Sequence, residues 1–169
     1  MLKNLINFNK KPIIGSTEYV EVEDIKNIPA KIDTGADSSS IWASDIAVEK
    51  DGTLSFKLFD KQSPLYTGQP IERKDYRVKI VRSSNGDEEI RYQVGLSLSV
   101  RGKKIRAMFT LADRSKNNFP ILIGRRTLKG KFLVDVSKRS VEKQSNPKTP
   151  HLNQELKENP YEFHKKYVK

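Results

Sequence analysis

The chain has 169 residues, no cysteine and a net charge of +11. Its length fits one domain with a tail, and the lack of cysteine excludes a disulfide framework and a thiolate metal site. No apolar run approaches the ~20 residues of a membrane-spanning helix. The polar N-terminal segment does not resemble a secretory signal, so we expect a cytoplasmic protein. The charge favours acidic partners, whereas nucleic-acid binding stays open because no motif supports it.

Alternation of apolar and polar residues predicts most of the strands. Two longer runs lie on either side of Arg101–Gly102, a pair that favours a hairpin turn. The Asn85–Gly86 pair favours another tight turn. The positions that share a face within each run are Leu54, Phe56 and Leu58; Tyr76, Val78 and Ile80; Tyr92, Val94, Leu96, Leu98 and Val100; and Ile105, Ala107, Phe109 and Leu111.

The last third of the chain contains the helix signals. The segment RRTLKG predicts a short helix that ends at Gly130, and FLVDV, at 132–136, predicts one more strand. From Val141 the sequence is polar and interrupted by proline, as in a linker. Residues 150–169 favour short helices, with Asn159–Pro160 as a helix start. Many short, closely spaced strands predict a small all-β barrel or sandwich.

Several kinds of catalytic site are disfavoured by the sequence. The two histidines, His151 and His164, lie in the polar tail, and there is no HExxH or CxxC motif. No GxSxG elbow surrounds a serine, and no Walker loop or GxGxxG motif is present. We therefore expect neither a metal nor a cofactor.

The remaining candidate is a carboxylate in the segment IPAKIDTGADSSSIWA, at 28–43. Asp33, Thr34 and Gly35 follow a short apolar run. Asp, Thr and Gly all favour turns, so the tetrapeptide Asp-Thr-Gly-Ala by itself is equally consistent with a catalytic loop and with an ordinary turn. A second segment, ILIGR at 121–125, ends another apolar run far downstream.

Together the two segments resemble the retropepsin-like aspartic proteases, which carry a D-T-G-A turn and, later, an apolar-apolar-Gly-Arg segment that packs below the active site. The closer resemblance is to a bacterial and archaeal branch often labelled "ATP-dependent zinc protease" and sometimes associated with glutamate ligases that modify a ribosomal protein. The shared pattern covers roughly residues 12–138 and includes IIGSTEYVEV, AKIDTGADSSS, SSNG and ILIGRRTLKGKFLVDVS. The zinc and ATP of that label find no ligands in this sequence.

The resemblance implies a small closed all-β barrel of the retropepsin type with one short helix and a polar C-terminal tail. It divides the chain into an N-terminal extension (1–11), a retropepsin-like domain (12–138) and a tail (139–169). The implied activity is that of an aspartic endopeptidase.

Peptide hydrolysis by such an enzyme needs one carboxylate as a base and a second as an acid. Two carboxylates in a shared site hold one proton between them, because both cannot ionise cheaply. The sequence contains one D-T-G motif, so the second Asp33 has to come from a twofold-related copy. We therefore expect a homodimer.

The resemblance also implies roles for the residues around Asp33. Thr34 hydrogen-bonds across the dimer axis, and Gly35 permits the tight turn. Ala36 and Asp37 lie beside the bound peptide. The residues expected to support the loop are Ile123, Gly124 and Arg125, with Arg125 paired to Asp37.

The flap over the substrate is assigned to the hairpin whose tip contains Ser83, Ser84, Asn85 and Gly86. A plain hairpin turn is an equally open interpretation. The basic surface favours an acidic peptide substrate. Two alternatives stay open, namely a catalytically silent retropepsin-like module that binds acidic protein or RNA, and a basic all-β nucleic-acid-binding domain.

Overall fold

The computed structural model describes residues 11–82, 86–142 and 147–168, and these contain eleven strands and three helices. The strands are β1 (Ile13–Ile14), β2 (Thr17–Val22), β3 (Ile25–Asp33), β4 (Ser39–Val48), β5 (Leu54–Leu58), β6 (Pro70–Arg73), β7 (Tyr76–Arg82), β8 (Glu88–Val100), β9 (Lys103–Ala112), β10 (Ile121–Gly124) and β11 (Leu133–Val134). The helices are α1 (Arg125–Leu128), α2 (Thr149–Glu158) and α3 (Pro160–Tyr167).

Six strands close into a barrel in the order β10, β3, β2, β8, β9 and β4, with β4 pairing back to β10. This confirms the predicted all-β barrel. Strand β10 is central to the closure because it pairs parallel with β3 and antiparallel with β4. The β3–β10 pairing places Asp33 opposite Gly124, so the two sequence segments singled out above are neighbours at one end of the barrel.

The long hairpin of β8 and β9 forms where the sequence predicts it. Arg101 and Gly102 both have positive φ, 49° and 75°, as a two-residue turn of this hairpin type requires. The predicted apolar faces of the two strands are buried or half-buried in the core. Because successive side chains alternate between faces, one register fixes which residues enter the core.

One predicted apolar face does not belong to the core. On β7, Val78 and Ile80 are 59% and 62% exposed, and the neighbouring Ile90 on β8 is 71% exposed. Only Tyr76, at the start of β7, packs against the core. The reason is topological, because β7 pairs with β8 outside the closed ring of strands.

A parallel pair of short strands, β1 and β11, joins the two ends of the domain. The predicted strand at 132–136 is shorter than expected, since β11 contains two residues. The chain after β11 stays attached to the barrel, because Ser140 N donates to Thr17 O at 3.0 Å and Val141 N donates to Thr17 Oγ1 at 3.0 Å.

The helices lie where the sequence predicts them. Helix α1 follows Gly124 directly, and Gly130 lies just beyond it with φ +77°. In the tail, Asn159 caps α3 by accepting a hydrogen bond from Glu162 N at 3.2 Å. None of the described helices is long and apolar enough to cross a membrane.

Candidate active site

The Asp33 carboxylate is oriented by the loop that follows β3. Its Oδ1 accepts hydrogen bonds from the backbone N–H groups of Gly35 and Ala36, each at 3.1 Å. Its Oδ2 lies 3.6 Å from Lys31 Nζ. The side chain is 26% exposed, and Thr34 and Gly35 beside it are exposed. One oxygen is thus held by the loop, while the carboxylate stays accessible at the protein surface.

Strand β10 packs closely against this loop. A Cβ atom on Gly124 would lie 2.5 Å from Ser38 O, so only glycine permits this approach. Gly124 N donates to Ser39 Oγ at 3.1 Å, and that hydroxyl also lies 2.7 Å from Thr127 Oγ1. Ile123 is fully buried. The downstream segment therefore supports the Asp33 loop through close backbone packing and a buried hydroxyl pair.

The start of α1 is joined to the same loop through its backbone. Arg125 N donates to Ala36 O at 2.8 Å, and Arg126 N donates to Asp37 O at 3.3 Å. The loop is therefore fixed at both ends, by its own turn and by the helix that follows β10.

Three basic side chains converge on Asp37. Lys79 Nζ lies 2.9 Å from the carboxylate, Arg126 Nε lies 3.1 Å from it, and Arg125 Nη2 lies 3.5 Å from it. The hydrogen bonds from Lys79 and then Arg126 lower the pKa of Asp37 to about 2. Lys79 also contacts Ser38 Oγ. Of these partners the sequence indicated Arg125 alone, which makes the longest contact of the three.

Lys79 connects the β7–β8 hairpin to the Asp33 loop, because it lies on β7 and bonds to Asp37. The sequence predicts that this hairpin is the flap. The tip residues Ser83, Ser84 and Asn85 lie outside the described residues, whereas Gly86 is exposed with φ +90°.

A half-buried arginine that the sequence does not mark, Arg114, lies within electrostatic reach of Asp33. Arg114 Nε donates to Phe119 O at 3.1 Å in the loop after β9. Burial lowers the pKa of the Arg114 guanidinium, the nearby Arg91 lowers it further, and the Asp33 carboxylate opposes both. No motif marks this residue, since it approaches Asp33 through tertiary structure.

A groove with a volume of about 770 Å³ begins beside this arginine. Its charged lining residues are Lys31, Arg114, Arg139 and Glu142, and Lys31 Nζ lies 3.6 Å from Asp33 Oδ2. Three of these four charged residues are basic. Among the residues that the structure describes, no group of three or more His, Asp or Glu side chains is placed to hold a metal ion.

Most of the chain is similar to known proteins. Residues 13–145 match the family model for RimB-like proteins, described as "Retropepsin-like aspartic endopeptidase RimB". A solved structure of a Legionella pneumophila protein of unknown function has 25% sequence identity and a TM-score of 0.57. The match covers 78% of this chain and 98% of that one.

The curated relatives are longer proteins. One from Shewanella pealeana, named "Probable alpha-L-glutamate ligase", is 31% identical over 134 residues. That match covers 76% of this chain but 29% of the relative. One of the same name from Desulfotalea psychrophila is 29% identical, with 74% and 28% covered. The chain therefore spans less than a third of the curated relatives it matches.

Proposed function

The chain belongs to the RimB-like family of retropepsin-like aspartic endopeptidases, and from this premise we propose that it is an aspartic endopeptidase active as a homodimer. The observation that carries the proposal is the orientation of Asp33, whose Oδ1 is held by the N–H groups of Gly35 and Ala36 at 3.1 Å. The loop thereby holds the carboxylate in one orientation at an accessible surface, as an acid or base shared between two copies of the chain requires.

The proposed reaction uses two Asp33 carboxylates that share one proton. The ionised member takes a proton from water, whose oxygen attacks the peptide carbonyl carbon. The protonated member hydrogen-bonds to the carbonyl oxygen and stabilises the tetrahedral intermediate. The carbon–nitrogen bond then breaks as one of the two protonated Asp33 carboxyls gives a proton to the leaving nitrogen, which returns the pair to its singly protonated state. The pH dependence of the reaction belongs to the pair rather than to one residue.

The homodimer follows from the number of available carboxylates. Each protomer contributes one D-T-G loop, and the exposure of Thr34 and Gly35 leaves the loop tip free to meet its twin. In an isologous dimer the same residues face each other across the twofold axis. Thr34, adjacent to Asp33, is the residue we expect to make the contact between the two loops.

An Asp33→Asn variant tests the catalytic proposal, with Asp135→Asn as a matched control. The Asp135 carboxylate also accepts hydrogen bonds within its own turn, from Ser137, but it lies beyond β11. We expect the Asp33 variant to lose peptide hydrolysis while its unfolding midpoint is kept, and the control to retain turnover. If neither protein hydrolyses peptides and the Asp33 variant binds acidic protein or RNA as well as wild type does, the non-catalytic binding module replaces the protease.

A subunit-mixing experiment tests the shared site separately. Wild-type protein is mixed with increasing amounts of Asp33→Asn under conditions of subunit exchange. If both copies supply a catalytic carboxylate, activity falls with the square of the wild-type fraction. A linear decrease would mean that each protomer works alone and would contradict the dimeric site.

Acidic peptides are the substrate class that the electrostatics favour. The net charge is +11, and the three basic side chains around Asp37 exceed the charge of that carboxylate by two. The relatives named as glutamate ligases fit this preference. Cleavage of acidic and basic peptide libraries at several salt concentrations tests it, and we expect faster cleavage of the acidic library at low salt. Equal rates would exclude it.

A further inference from the structure

A hydrogen bond holds Arg114 in the loop after β9, within electrostatic reach of the proposed catalytic carboxylate. The residue is half-buried in the loop after β9, and its Nε donates to Phe119 O at 3.1 Å. In the described part of the chain this is its only hydrogen bond, so both terminal nitrogens of the guanidinium stay available. An arginine held by one nitrogen presents the other two as a ready-made fork.

The charges around Arg114 leave it without a sufficient counterion. Arg91 is a second cation within electrostatic reach, and its own side chain bonds to Glu89 at 2.8 Å. The anion that acts on Arg114 is Asp33, which is also 3.6 Å from Lys31 Nζ. When the two Asp33 carboxylates of a dimer share one proton, each of these side chains carries less than one full negative charge on average. A half-buried cation in this setting favours a further anion.

The space beside Arg114 is large enough for part of a substrate. The groove of about 770 Å³ lies within the ~300–1,000 Å³ typical of small-ligand sites. Its lining includes Arg114 and Lys31, whose Nζ lies 3.6 Å from Asp33 Oδ2, and Phe119 and Leu122 supply apolar surface. A carboxylate side chain next to the scissile bond could therefore reach the guanidinium fork while its methylene groups contact these apolar residues.

We propose that Arg114 is a specificity-determining residue that binds, through its two free nitrogens, a carboxylate side chain flanking the scissile bond. The inference rests on the proposed endopeptidase function and deepens it. A guanidinium binds a carboxylate with two parallel hydrogen bonds. This contact differs from the attraction of acidic peptides by the whole charged surface, because a half-buried ion pair is screened little by salt.

The test compares fluorogenic peptides that are matched except that Glu in one is Gln in the other. At high salt, where surface attraction is screened, we expect wild-type protein to prefer the Glu peptide by about tenfold or more in kcat/KM. Arg114→Met should remove this preference by lowering the ratio of kcat/KM for the Glu peptide to kcat/KM for the Gln peptide towards one. Arg114→Lys keeps the charge without the fork, and we expect an intermediate preference.

The control is Arg106→Met, which removes one exposed positive charge on β9. We expect it to keep the wild-type preference at high salt. Unchanged discrimination in a folded Arg114→Met protein, or an equal loss in Arg106→Met, would overturn the inference. If wild-type protein cleaves neither peptide, the proposed function fails instead. The ratio of the dissociation constants of the two peptides then decides the role of Arg114.

Discussion

The close contact between β10 and the Asp33 loop makes Gly124→Ala a sharp test of how the site is supported. The backbone of Gly124, with φ −90° and ψ 173°, is accessible to alanine, so the substitution adds no backbone strain. The added Cβ would lie 2.5 Å from Ser38 O and 2.9 Å from Ala36 O, whereas ordinary contact begins at 3.4 Å. The loop therefore has to move by roughly 1 Å to accept a methyl group.

The expected cost follows from these contacts. Overpacking against backbone that cannot change rotamer costs about 3 kcal/mol. The displacement also weakens the hydrogen bond of 3.1 Å from Gly124 N to Ser39 Oγ, which contributes about 1 kcal/mol. In urea unfolding, we expect the substitution to lower the free energy of unfolding by about 4 kcal/mol. The dependence of that free energy on urea concentration should stay unchanged. Because Asp33 precedes the displaced loop, peptide hydrolysis should fall by about a hundredfold even where the protein stays folded.

Gly95→Ala is the matched control for this substitution. Its Cβ would also clash, at 2.6 Å, but with the guanidinium of Arg106, the far end of an exposed and flexible side chain. We expect a loss below about 1 kcal/mol, because the side chain can turn away. Equal destabilisation by the two substitutions, or a fully stable Gly124→Ala protein, would refute the view that close backbone packing holds the loop.

Three further substitutions test other parts of the chain. Arg101→Met leaves the Glu18 carboxylate, which is 2% exposed, without the guanidinium that bonds to it at 3.0 Å. We expect urea unfolding to report a loss of about 3 kcal/mol, and a loss well under 1 kcal/mol would contradict this. Asp37→Asn tests the pKa of Asp37, which Lys79 and Arg126 hold at about 2. A lowered pKa stabilises the fold above about pH 4, and this contribution disappears as the pH falls towards 2. Between pH 5 and pH 2 the midpoint temperature of thermal unfolding should therefore decrease more for the wild-type protein than for the variant. Equal decreases would show that the cations do not act on this carboxylate. Asn159→Ala removes the α3 cap, and we expect amide exchange in α3 to speed up by about fivefold, which corresponds to ~1 kcal/mol. The barrel should unfold at the same midpoint, and unaltered exchange in α3 would exclude a capping role.

Local pattern was sufficient to predict much of the fold. Alternation placed the apolar faces of β8 and β9 because both strands lie in the closed ring, with one face towards the core. Turn residues with positive φ, such as Gly102 and Gly130, marked where elements end. These features depend on neighbours in the sequence, which is why one chain without structural information reveals them.

The exposed face of β7 could not be predicted in the same way. Its alternation is as regular as that of β8, yet Val78 and Ile80 are mostly exposed. Whether an apolar face is buried depends on what packs against it, and β7 has one paired strand in the described part of the chain. Strand pattern therefore indicates that a strand forms without showing that its apolar face enters a core.

Some residues of the site could be predicted from the sequence and others could not. The resemblance of the D-T-G-A loop and the later Gly-Arg segment to the retropepsin-like proteases implied that these segments pack together, and the parallel register of β3 and β10 places Asp33 opposite Gly124. Lys79 and Arg114 carry no motif. Lys79 bonds to Asp37, and Arg114 lies within electrostatic reach of Asp33, because the fold brings together segments that are far apart in the sequence.

The positive charge that is dispersed in the sequence therefore acts on Asp33 and Asp37 in two different ways. Arg125 and Arg126, at Asp37, are 60% and 74% exposed. Salt in the surrounding water therefore screens their electric field. Arg114 is half-buried, so its field acts over a short distance and is screened less. The exposed cations should raise the rate at which acidic peptides arrive, and the half-buried one should decide which carboxylate is retained beside Asp33. High salt should consequently slow the capture of acidic peptides while leaving the discrimination between Glu and Gln intact.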